Sequence, residues 1–223
     1  VMAEAASRGA THAIMEVSSH SAAQGRIAGV RFDVGVFTNL SRDHLDYHGD
    51  MESYFASKAR FFREYLPAGG KRPRMAINAD DPHGALLARE FPGATTYGMQ
   101  RDRGVSPSRV ETGWTGTRLT PSTPWGELDM RTRLIGAYNA SNVMAAVCAA
   151  GLLGVSAQAI CEGVERLTVI PGRMEEIPNR RDLHVLVDYA HTPEGLERVL
   201  STLGGLGEGR LITVFGCGGN RDR

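Results

Sequence analysis

A short polar loop, residues 39–49, concentrates side chains that can bind a cation. It follows an apolar stretch and places Asp43, His44, Asp46 and His48 within six positions. Imidazole together with carboxylates is a ligand set for a divalent metal ion. His44 is the better ligand candidate of the two histidines because it lies nearer the preceding predicted strand. The alternative is a solvated polar loop that binds nothing.

Lys58 lies within the apolar stripe of a predicted helix over residues 51–66. Aromatic residues recur on both sides of it at helical spacing, whereas the polar residues fall on the opposite face. One interpretation is that the stem is buried and the ammonium reaches water. The other is that the lysine is desolvated and acts as a neutral amine. The periodicity leaves both open.

Glu16 ends an apolar run, residues 12–17, that predicts a buried strand. A carboxylate at the carboxyl edge of a buried strand is a common way to hold Mg²⁺ beside a nucleotide phosphate. The alternative is an edge residue whose hydrogen bonds are satisfied by the protein itself.

Three further positions are candidates for contact with a nucleotide. Asn142 falls in the first turn of an alanine-rich helix, where it could contact an adenine edge or merely cap the helix. Arg173 follows a Pro-Gly pair at a predicted hinge, from which an arginine can reach a phosphate. Asp188 leaves a predicted strand just before a helix, which is a ligand-facing edge in open α/β sheets.

These candidates require an α/β frame to position them. Strand and helix patterns alternate over the first two-thirds of the chain, which predicts a mostly parallel sheet with helices on both faces. Residues 109–134 instead alternate as antiparallel strands. The predicted parallel strands cover residues 12–17, 32–38, 74–78 and 95–99, and the predicted helices cover residues 51–66, 82–90, 138–153 and 157–167.

A domain boundary is predicted near residue 170. Beyond it a new unit begins, with strands at 184–187 and 211–215 around a helix at 193–203. We therefore expect one domain over residues 1–170 and the start of a second, Rossmann-like domain over residues 171–223.

Composition narrows the class of protein. Lys+Arg and Asp+Glu both number 25, so nothing indicates a nucleic-acid or membrane-surface partner. The three widely spaced cysteines form neither a disulfide framework nor a zinc site and fit a reducing cytoplasm. There is no signal peptide and no apolar run long enough for a membrane helix. Both ends resemble the interior of a domain, so we expect a fragment.

The order and spacing of these motifs resembles the Mur ligase family, over essentially the whole chain. The likeness is greatest to the members that add diaminopimelate or lysine. The motifs that carry it are residues 16–20 (EVSSH), residues 37–49 (FTNLSRDHLDYHG), Lys58, residues 78–81 (NADD), residues 136–142, residues 171–175, residues 187–193 and residues 216–219.

The resemblance implies a role for each matching residue. Glu16 would bind the Mg²⁺ that bridges the ATP phosphates, and His44 would bind a second Mg²⁺. Lys58 would be carbamylated and help to hold that second ion, and with His44 and Arg173 would form the catalytic group. The matching substrate contacts are Ser18, Gln24 and Arg26 for the UDP-muramoyl dipeptide, Arg221 for the incoming diamino acid, Asn142 for adenine, Arg173 for the phosphates and Asp188 for the ribose.

The fold and reaction implied are those of a Mur ligase central domain followed by the start of its C-terminal domain. ATP would phosphorylate the γ-carboxylate of UDP-N-acetylmuramoyl-L-alanyl-D-glutamate, and an amine of meso-diaminopimelate would then attack the acyl phosphate. Such an enzyme works in peptidoglycan synthesis, and we expect a cytoplasmic monomer.

The chain departs from the family pattern at two places. It contains no glycine-rich phosphate loop, which in the family precedes the position of Val1, and the motif that reads the diamino acid would lie beyond Arg223. We therefore expect the isolated chain neither to hydrolyse ATP nor to ligate.

Several alternatives remain open from the sequence. They are an L-lysine-adding ligase, another ligase of the superfamily such as folylpolyglutamate synthase, a metal-dependent hydrolase that uses the polar loop, and a non-catalytic binding protein. Meso-diaminopimelate is favoured over lysine by Arg221 and because it is the commoner substrate of these ligases.

Overall fold

The fold was analysed in a computed structural model of the chain. It describes residues 1–181, 183–207 and 209–216. The chain divides into two compact units. Unit 1 comprises Val1–Gly35 and Leu40–Arg74, and unit 2 comprises Val36–Asn39 and Met75–Arg223.

Unit 1 is built mainly from helices. They are α1 (Met2–Ser7), α2 (Ser19–Ala23), α3 (Leu45–His48), α4 (Met51–Arg60), a π-helical turn (Phe61–Tyr65) and α5 (Leu66–Ala68). The last three form one continuous helix, because Phe61 and Leu66 at the junctions keep helical backbone angles. The helix predicted over residues 51–66 is therefore confirmed.

Side-chain caps begin two of these helices. Ser18 accepts a hydrogen bond from the backbone N–H of Ser21 at the start of α2, and Asp50 accepts one from Ser53 at the start of α4. Such caps satisfy donors that the first turn of a helix leaves unpaired. The caps fix where the helices that carry the predicted site residues begin.

The core of unit 1 forms where the long helix packs on the backbone at Gly35. A Cβ atom at Gly35 would lie only 2.8 Å from the ring of Phe61 and 2.9 Å from Leu66, so no side chain fits there. The buried apolar residues of this unit are Ala22, Ile27, Leu40, Tyr54, Ala59, Phe61, Phe62 and Leu66. The aromatic stripe predicted on the helix is thus its buried face.

A three-stranded sheet begins the second unit. Its order is β1 (Val34–Phe37), β2 (Arg74–Asn78) and β3 (Thr95–Tyr97), with β2 and β3 parallel and α6 (Pro82–Glu90) between them in the chain. Asn78 donates a 2.7 Å hydrogen bond to the Thr38 carbonyl, and the Tyr97 hydroxyl donates a 3.0 Å bond to the Phe37 carbonyl. Side chains of β2 and β3 therefore hold the end of β1.

An antiparallel sheet follows, as the sequence predicts. Its strands are β4 (Ser106–Gly113), β5 (Gly116–Thr123), β6 (Gly126–Glu127) and β7 (Met130–Thr132), and β5 pairs with the other three. Two helices come next, α7 (Ala137–Leu152) and α8 (Ala157–Arg166). Apolar side chains from α7, the sheets and α8 form one buried core, so this part of unit 2 is a packed α/β body.

The last described elements are short. They are β8 (Glu175–Glu176), β9 (Leu186–Val187) and α9 (Pro193–Gly204), with β8 and β9 antiparallel. Thr192 caps α9 by accepting a hydrogen bond from the Gly195 backbone. The predicted helix over residues 193–203 is confirmed.

Two predicted strands are wrong for this structure. Residues 12–17 and 211–215 form no strand, and Ile14 and Val214 are 101% and 94% exposed. An apolar run becomes a strand only where a neighbouring strand pairs with its backbone groups. Neither segment has such a neighbour among the described strands.

The α/β class is confirmed, with a parallel sheet and small antiparallel sheets. Across the described ranges, none of the helices combines the length and the apolar character needed to cross a bilayer.

Candidate functional site: a histidine and tyrosine ring cluster in unit 1

Aromatic rings from three segments meet in unit 1. The centroid of the His20 ring lies 4.1 Å from that of Tyr47, 5.0 Å from that of His44 and 5.3 Å from that of His48. Tyr54 completes the group, which we call the ring cluster (His20, His44, Tyr47, His48 and Tyr54). Its members come from α2, the polar loop with α3, and α4, so the fold joins motifs that are separate in the chain.

His48 ties these segments together. Its Nε2 shares a 2.8 Å hydrogen bond with the hydroxyl of buried Ser19, and its Nδ1 lies 3.4 Å from the Ser57 hydroxyl. Its ring also stacks on Tyr54 at 5.0 Å and 18°. Burial lowers the pKa of His48 most, followed by the neighbouring His20 and His44. The ring is therefore held in its neutral form as a structural link.

Tyr54 is the ring beside which two of the predicted metal ligands, His44 and Lys58, lie. The His44 ring lies 6.0 Å from it, and the Lys58 Nζ lies 5.4 Å from its centroid. Burial raises the pKa of Tyr54, and the carboxylates of Asp43 and Glu16 raise it further. All three predicted ligands thus act on one side chain.

Lys58 is partly buried, and its ammonium lies over a ring of the cluster. A cation at this distance from an aromatic face is attracted by the ring's quadrupole. The same positive charge contributes to lowering the pKa of His48. The side chain is therefore directed at the ring cluster.

His44 has an unusual backbone. It adopts left-handed angles, φ 55° and ψ 24°, at the residue that begins α3. Its N–H donates a 2.7 Å hydrogen bond to the Asp43 carboxylate, which also lies 3.5 Å from the His44 Nδ1. A non-glycine residue in this region is uncommon and is often found at functional sites. The left-handed backbone at His44 therefore supports the prediction that this residue is functional.

The chemistry of these donors fits Mg²⁺, but they do not form a closed metal site. Among the described residues, no three His, Cys, Asp or Glu side chains are grouped so as to hold a metal ion. Glu16 is exposed on a segment without secondary structure. An ammonium at Lys58 would repel a cation, whereas a carbamate there would supply the anionic oxygens that Mg²⁺ prefers.

One of the predicted substrate contacts of unit 1, Gln24, is hydrogen-bonded to the ring cluster. The Ser18 hydroxyl accepts a 3.1 Å hydrogen bond from the Ser21 backbone and lies 2.9 Å from the Ser21 hydroxyl. Gln24 donates a 3.2 Å hydrogen bond to the Tyr47 hydroxyl. Arg26 is exposed. Gln24 is therefore linked directly to a member of the cluster.

The predicted nucleotide contacts of unit 2 show a different arrangement. Asn142 is exposed and its amide lies 3.5 Å from the Asn139 side chain, which is itself buried and donates to the Ile135 carbonyl at 2.9 Å. Asn139 thus binds the chain just before α7 and does not cap the helix.

Asp188 organises a turn next to Arg173. Its two oxygens accept backbone hydrogen bonds from Met174 at 2.9 Å and Ala190 at 2.7 Å. Arg173 is exposed, with its guanidinium 5.6 Å from the centroid of the Tyr189 ring. We call this segment, residues 172–190, the Asp188 turn.

Tyr138 is a neighbour of this turn that the sequence reasoning missed. Burial raises its pKa to about 12; nearby Asp188 adds to the rise, and Arg173 offsets part of it. A sequence gives no sign of this, because Tyr138 and Asp188 are far apart in the chain.

Arg221, predicted to contact the diamino acid, lies outside the described residues. The sequence reasoning also assigned no role to His20, Tyr47 or Tyr54. His20 follows two serines in a Ser-Ser-His triplet, which is the sequence signal that could have identified it. The two histidines that it meets in the fold, His44 and His48, lie four residues apart in the polar loop.

The whole chain matches the Mur ligases. The model of the Mur ligase middle domain matches residues 1–150, and the model described as Mur ligase, glutamate ligase domain, matches residues 172–223. The predicted boundary near residue 170 falls between the two matches and stays a prediction.

Relatives with similar sequences include two named UDP-N-acetylmuramoyl-L-alanyl-D-glutamate--2,6-diaminopimelate ligase. The protein from Geobacter metallireducens is 51% identical over 97% of this chain and 43% of its own length. That from Gloeobacter violaceus is 44% identical over 100% of this chain and 45% of its own length. The chain therefore spans less than half of these relatives.

Solved structures show the same fold. A structure titled as a UDP-N-acetylmuramoyl-L-alanyl-D-glutamate--2,6-diaminopimelate ligase matches with a TM-score of 0.78 and 36% identity, covering 98% of this chain and 45% of that one. An Acinetobacter baumannii MurF structure, at 22% identity and a TM-score of 0.68, covers 78% of this chain and 38% of that one and shares the fold alone.

The fold and the matched domains are those of a ligase-type α/β protein. The chain belongs to the Mur ligase family.

Proposed function

We propose that this chain supplies part of the active site of an ATP-dependent ligase of peptidoglycan synthesis. The ligase would join meso-diaminopimelate to UDP-N-acetylmuramoyl-L-alanyl-D-glutamate. The observation that carries the proposal is that His44 and Lys58 lie beside the same Tyr54 ring in a chain of this family. Relatives with the corresponding name, at 40–51% identity, support the choice of substrates.

The proposed reaction has two steps. The γ-phosphate of ATP is transferred to the D-glutamyl γ-carboxylate of the UDP-linked dipeptide, which gives an acyl phosphate and ADP. An amine of meso-diaminopimelate then attacks the acyl carbon, the amide forms, and phosphate leaves. Negative charge concentrates on the transferred phosphoryl group, so cationic and metal-binding side chains are the ones that matter most.

The residues of unit 1 would hold the metal and the UDP-linked substrate. Glu16, His44 and carbamylated Lys58 are the proposed Mg²⁺ ligands, and bound Mg²⁺ would offset the phosphoryl charge. Lys58 must lose its proton to accept carbon dioxide, and the resulting carbamate would supply the anionic oxygens that Mg²⁺ prefers. Ser18, Gln24 and Arg26 are the proposed substrate contacts.

The residues of unit 2 would bind ATP. Asn142 is proposed for adenine, Arg173 for the phosphates and Asp188 for the ribose. Arg173 is exposed, so its guanidinium is accessible to a phosphate. Arg221 stays a predicted contact to the diamino acid.

The rival functions have less support. A metal-dependent hydrolase would need several ligands from the polar loop, yet His48 hydrogen-bonds Ser19 and Ser57 instead. A folylpolyglutamate synthase structure, titled as an FPGS-AMPPCP complex, shares the fold at 20% identity only. The names of the more similar relatives favour diaminopimelate over lysine.

An assay of the complete gene product tests the proposal. It is given ATP, Mg²⁺ and UDP-N-acetylmuramoyl-L-alanyl-D-glutamate, with meso-diaminopimelate, L-lysine or no amine. We expect ADP release and ligation with meso-diaminopimelate. We also propose that the enzyme is a cytoplasmic monomer. Ligation of lysine alone, or glutamylation of a folate in place of this reaction, would contradict the assignment.

A further inference from the structure

The π-helical turn Phe61–Tyr65 interrupts an otherwise regular helix three residues after Lys58. Short π-helical insertions are rare and occur frequently at functional sites. This turn lies on the buried face of unit 1, where Phe61 and Phe62 are core residues. The turn also determines where the neighbouring side chains of Arg60 and Tyr65 lie.

The turn brings two polar side chains onto one acceptor. The Tyr65 hydroxyl donates a 3.0 Å hydrogen bond to the Ala22 carbonyl. The Arg60 guanidinium donates to the Ala23 carbonyl at 3.1 Å and reaches the Ala22 carbonyl at 3.5 Å. These carbonyls end α2, where the Ala22 carbonyl also accepts a 3.3 Å hydrogen bond from the Gly25 N–H.

The π geometry is what allows both contacts. In an ideal α-helix, residues five apart point in directions about 140° apart. In a π-helix, whose hydrogen bonds join residues five apart, such residues lie closer to the same side of the helix. Accordingly, the Arg60 guanidinium lies 5.4 Å from the centroid of the Tyr65 ring. Glu64 holds Arg60 in place through a 2.6 Å hydrogen bond.

Arg60 and Tyr65, which we call the clamp, bind a segment that carries the proposed substrate contacts. Residues 18–26 include Ser18, Gln24 and Arg26, and the chain turns at Gly25 with a φ of +68°. A Cβ at Gly25 would lie 3.6 Å from the Tyr65 hydroxyl, so the clamp contacts the turn itself. The helix that forms the clamp also carries Lys58, two residues before Arg60.

We propose that Arg60 and Tyr65, aligned by the π-helical turn, are positioning residues that hold the substrate segment 18–26 in fixed register with Lys58. This inference rests on the proposed function of that segment. The clamp touches neither substrate nor metal; it acts by limiting the freedom of the segment before the UDP-linked dipeptide binds. Pre-organisation of this kind lowers the entropic cost of ordering the segment when the substrate binds.

The kinetic test uses Tyr65→Phe, which removes one hydroxyl and leaves the buried ring. In the complete gene product we expect the KM for UDP-N-acetylmuramoyl-L-alanyl-D-glutamate to rise about three- to tenfold, the effect of losing one hydrogen bond. The KM for ATP and the kcat should stay within about twofold. Arg60→Ala should raise the same KM more, and Arg60→Lys should restore part of it.

Arg89→Ala is the charge control, because Arg89 is an exposed arginine on α6. It should change neither KM. An unchanged substrate KM in Tyr65→Phe, or a parallel rise in both KM values that follows a lower melting temperature, would overturn the positioning role. If the wild-type enzyme does not ligate this substrate, the proposed function fails first.

Amide hydrogen exchange gives a readout that needs no activity. Exchange over residues 19–26 should be faster in Tyr65→Phe than in wild type, with exchange in α6 unchanged. Equal exchange over residues 19–26 would refute the clamp whatever the substrate proves to be.

Discussion

The ring cluster of unit 1 and the Asp188 turn of unit 2 use their polar side chains in different ways. In the ring cluster, His20, Tyr47 and His48 contact other side chains through ring faces and side-chain hydrogen bonds. In the turn, Asp188 binds backbone N–H groups with both oxygens. The first arrangement orients side chains relative to one another, whereas the second shapes the backbone.

This difference separates activity from stability. A substitution at His44 or at Lys58 beside the ring cluster should remove function and leave most of the fold, because both side chains lie at least partly at the surface. A substitution at Asp188 should first weaken the fold, because it leaves two backbone donors without their acceptor. Substitutions in the two regions test that contrast.

Lys58→Ala should have the largest effect. It removes the proposed carbamate ligand, and we expect the ligation kcat to fall on the order of 100-fold or more. The melting temperature should change little, since the lysine is only partly buried. Steady-state assays and thermal unfolding of the same preparation measure both.

Lys71→Ala is the matched control. Lys71 is exposed and forms a 2.6 Å ion pair with Asp33, away from the ring cluster. It should retain wild-type activity. Equal losses in the two variants, or a Lys58→Ala enzyme that ligates normally, would remove the functional side of the contrast.

Asp188→Ala should act on stability as well as on the proposed ribose contact. Loss of an acceptor for two backbone N–H groups should lower the free energy of unfolding by about 1–3 kcal/mol. Denaturant unfolding measures this, with Asp102→Ala as control because that carboxylate is 74% exposed. If Asp188→Ala unfolds like wild type and only the KM for ATP rises, the turn is a binding device and the contrast between the regions disappears.

The smallest effect concerns pH. The pKa of His48 lies below its ordinary value of 6.5, so the unfolded chain binds more protons than the folded one as the pH falls through that value. The contribution of the neutral ring to stability is complete above pH 6.5 and is lost below it. Solvent screening keeps it well under about 1 kcal/mol.

His48→Gln should therefore flatten the decline of stability between about pH 7 and pH 5. Urea unfolding at several pH values measures the slope, and the exposed His12→Gln is the control. An unaltered slope in His48→Gln would show that the surroundings of this ring do not lower its pKa in the folded protein.

The sequence predicted most of the elements whose signals are local. The helix at Pro82–Glu90 was identified from Asp81 and Pro82, and the strand Arg74–Asn78 from a short apolar run. The strands predicted at residues 12–17 and 211–215 failed, because pairing depends on neighbours that a periodicity does not reveal. The π-helical turn could not be predicted either, since its residues fit an α-helix equally well.

The candidate site was predicted in part. His44 and Lys58 stood out because their residue types conflict with their surroundings, and Glu16 because it ends an apolar run. Tyr54 and His20 did not stand out, since an aromatic residue on a helix is ordinarily a core residue. Their role depends on distances between rings from separate segments, which only the folded chain supplies.

Diffraction from crystals of the complete gene product grown with Mn²⁺, bicarbonate and a non-hydrolysable ATP analogue tests the central claim most directly. The account predicts an anomalous peak about 2 Å from a His44 ring nitrogen and from an oxygen of a carbamate on Lys58. A Lys58 side chain that carries no carbamate and points into solvent, with manganese bound elsewhere, would contradict it.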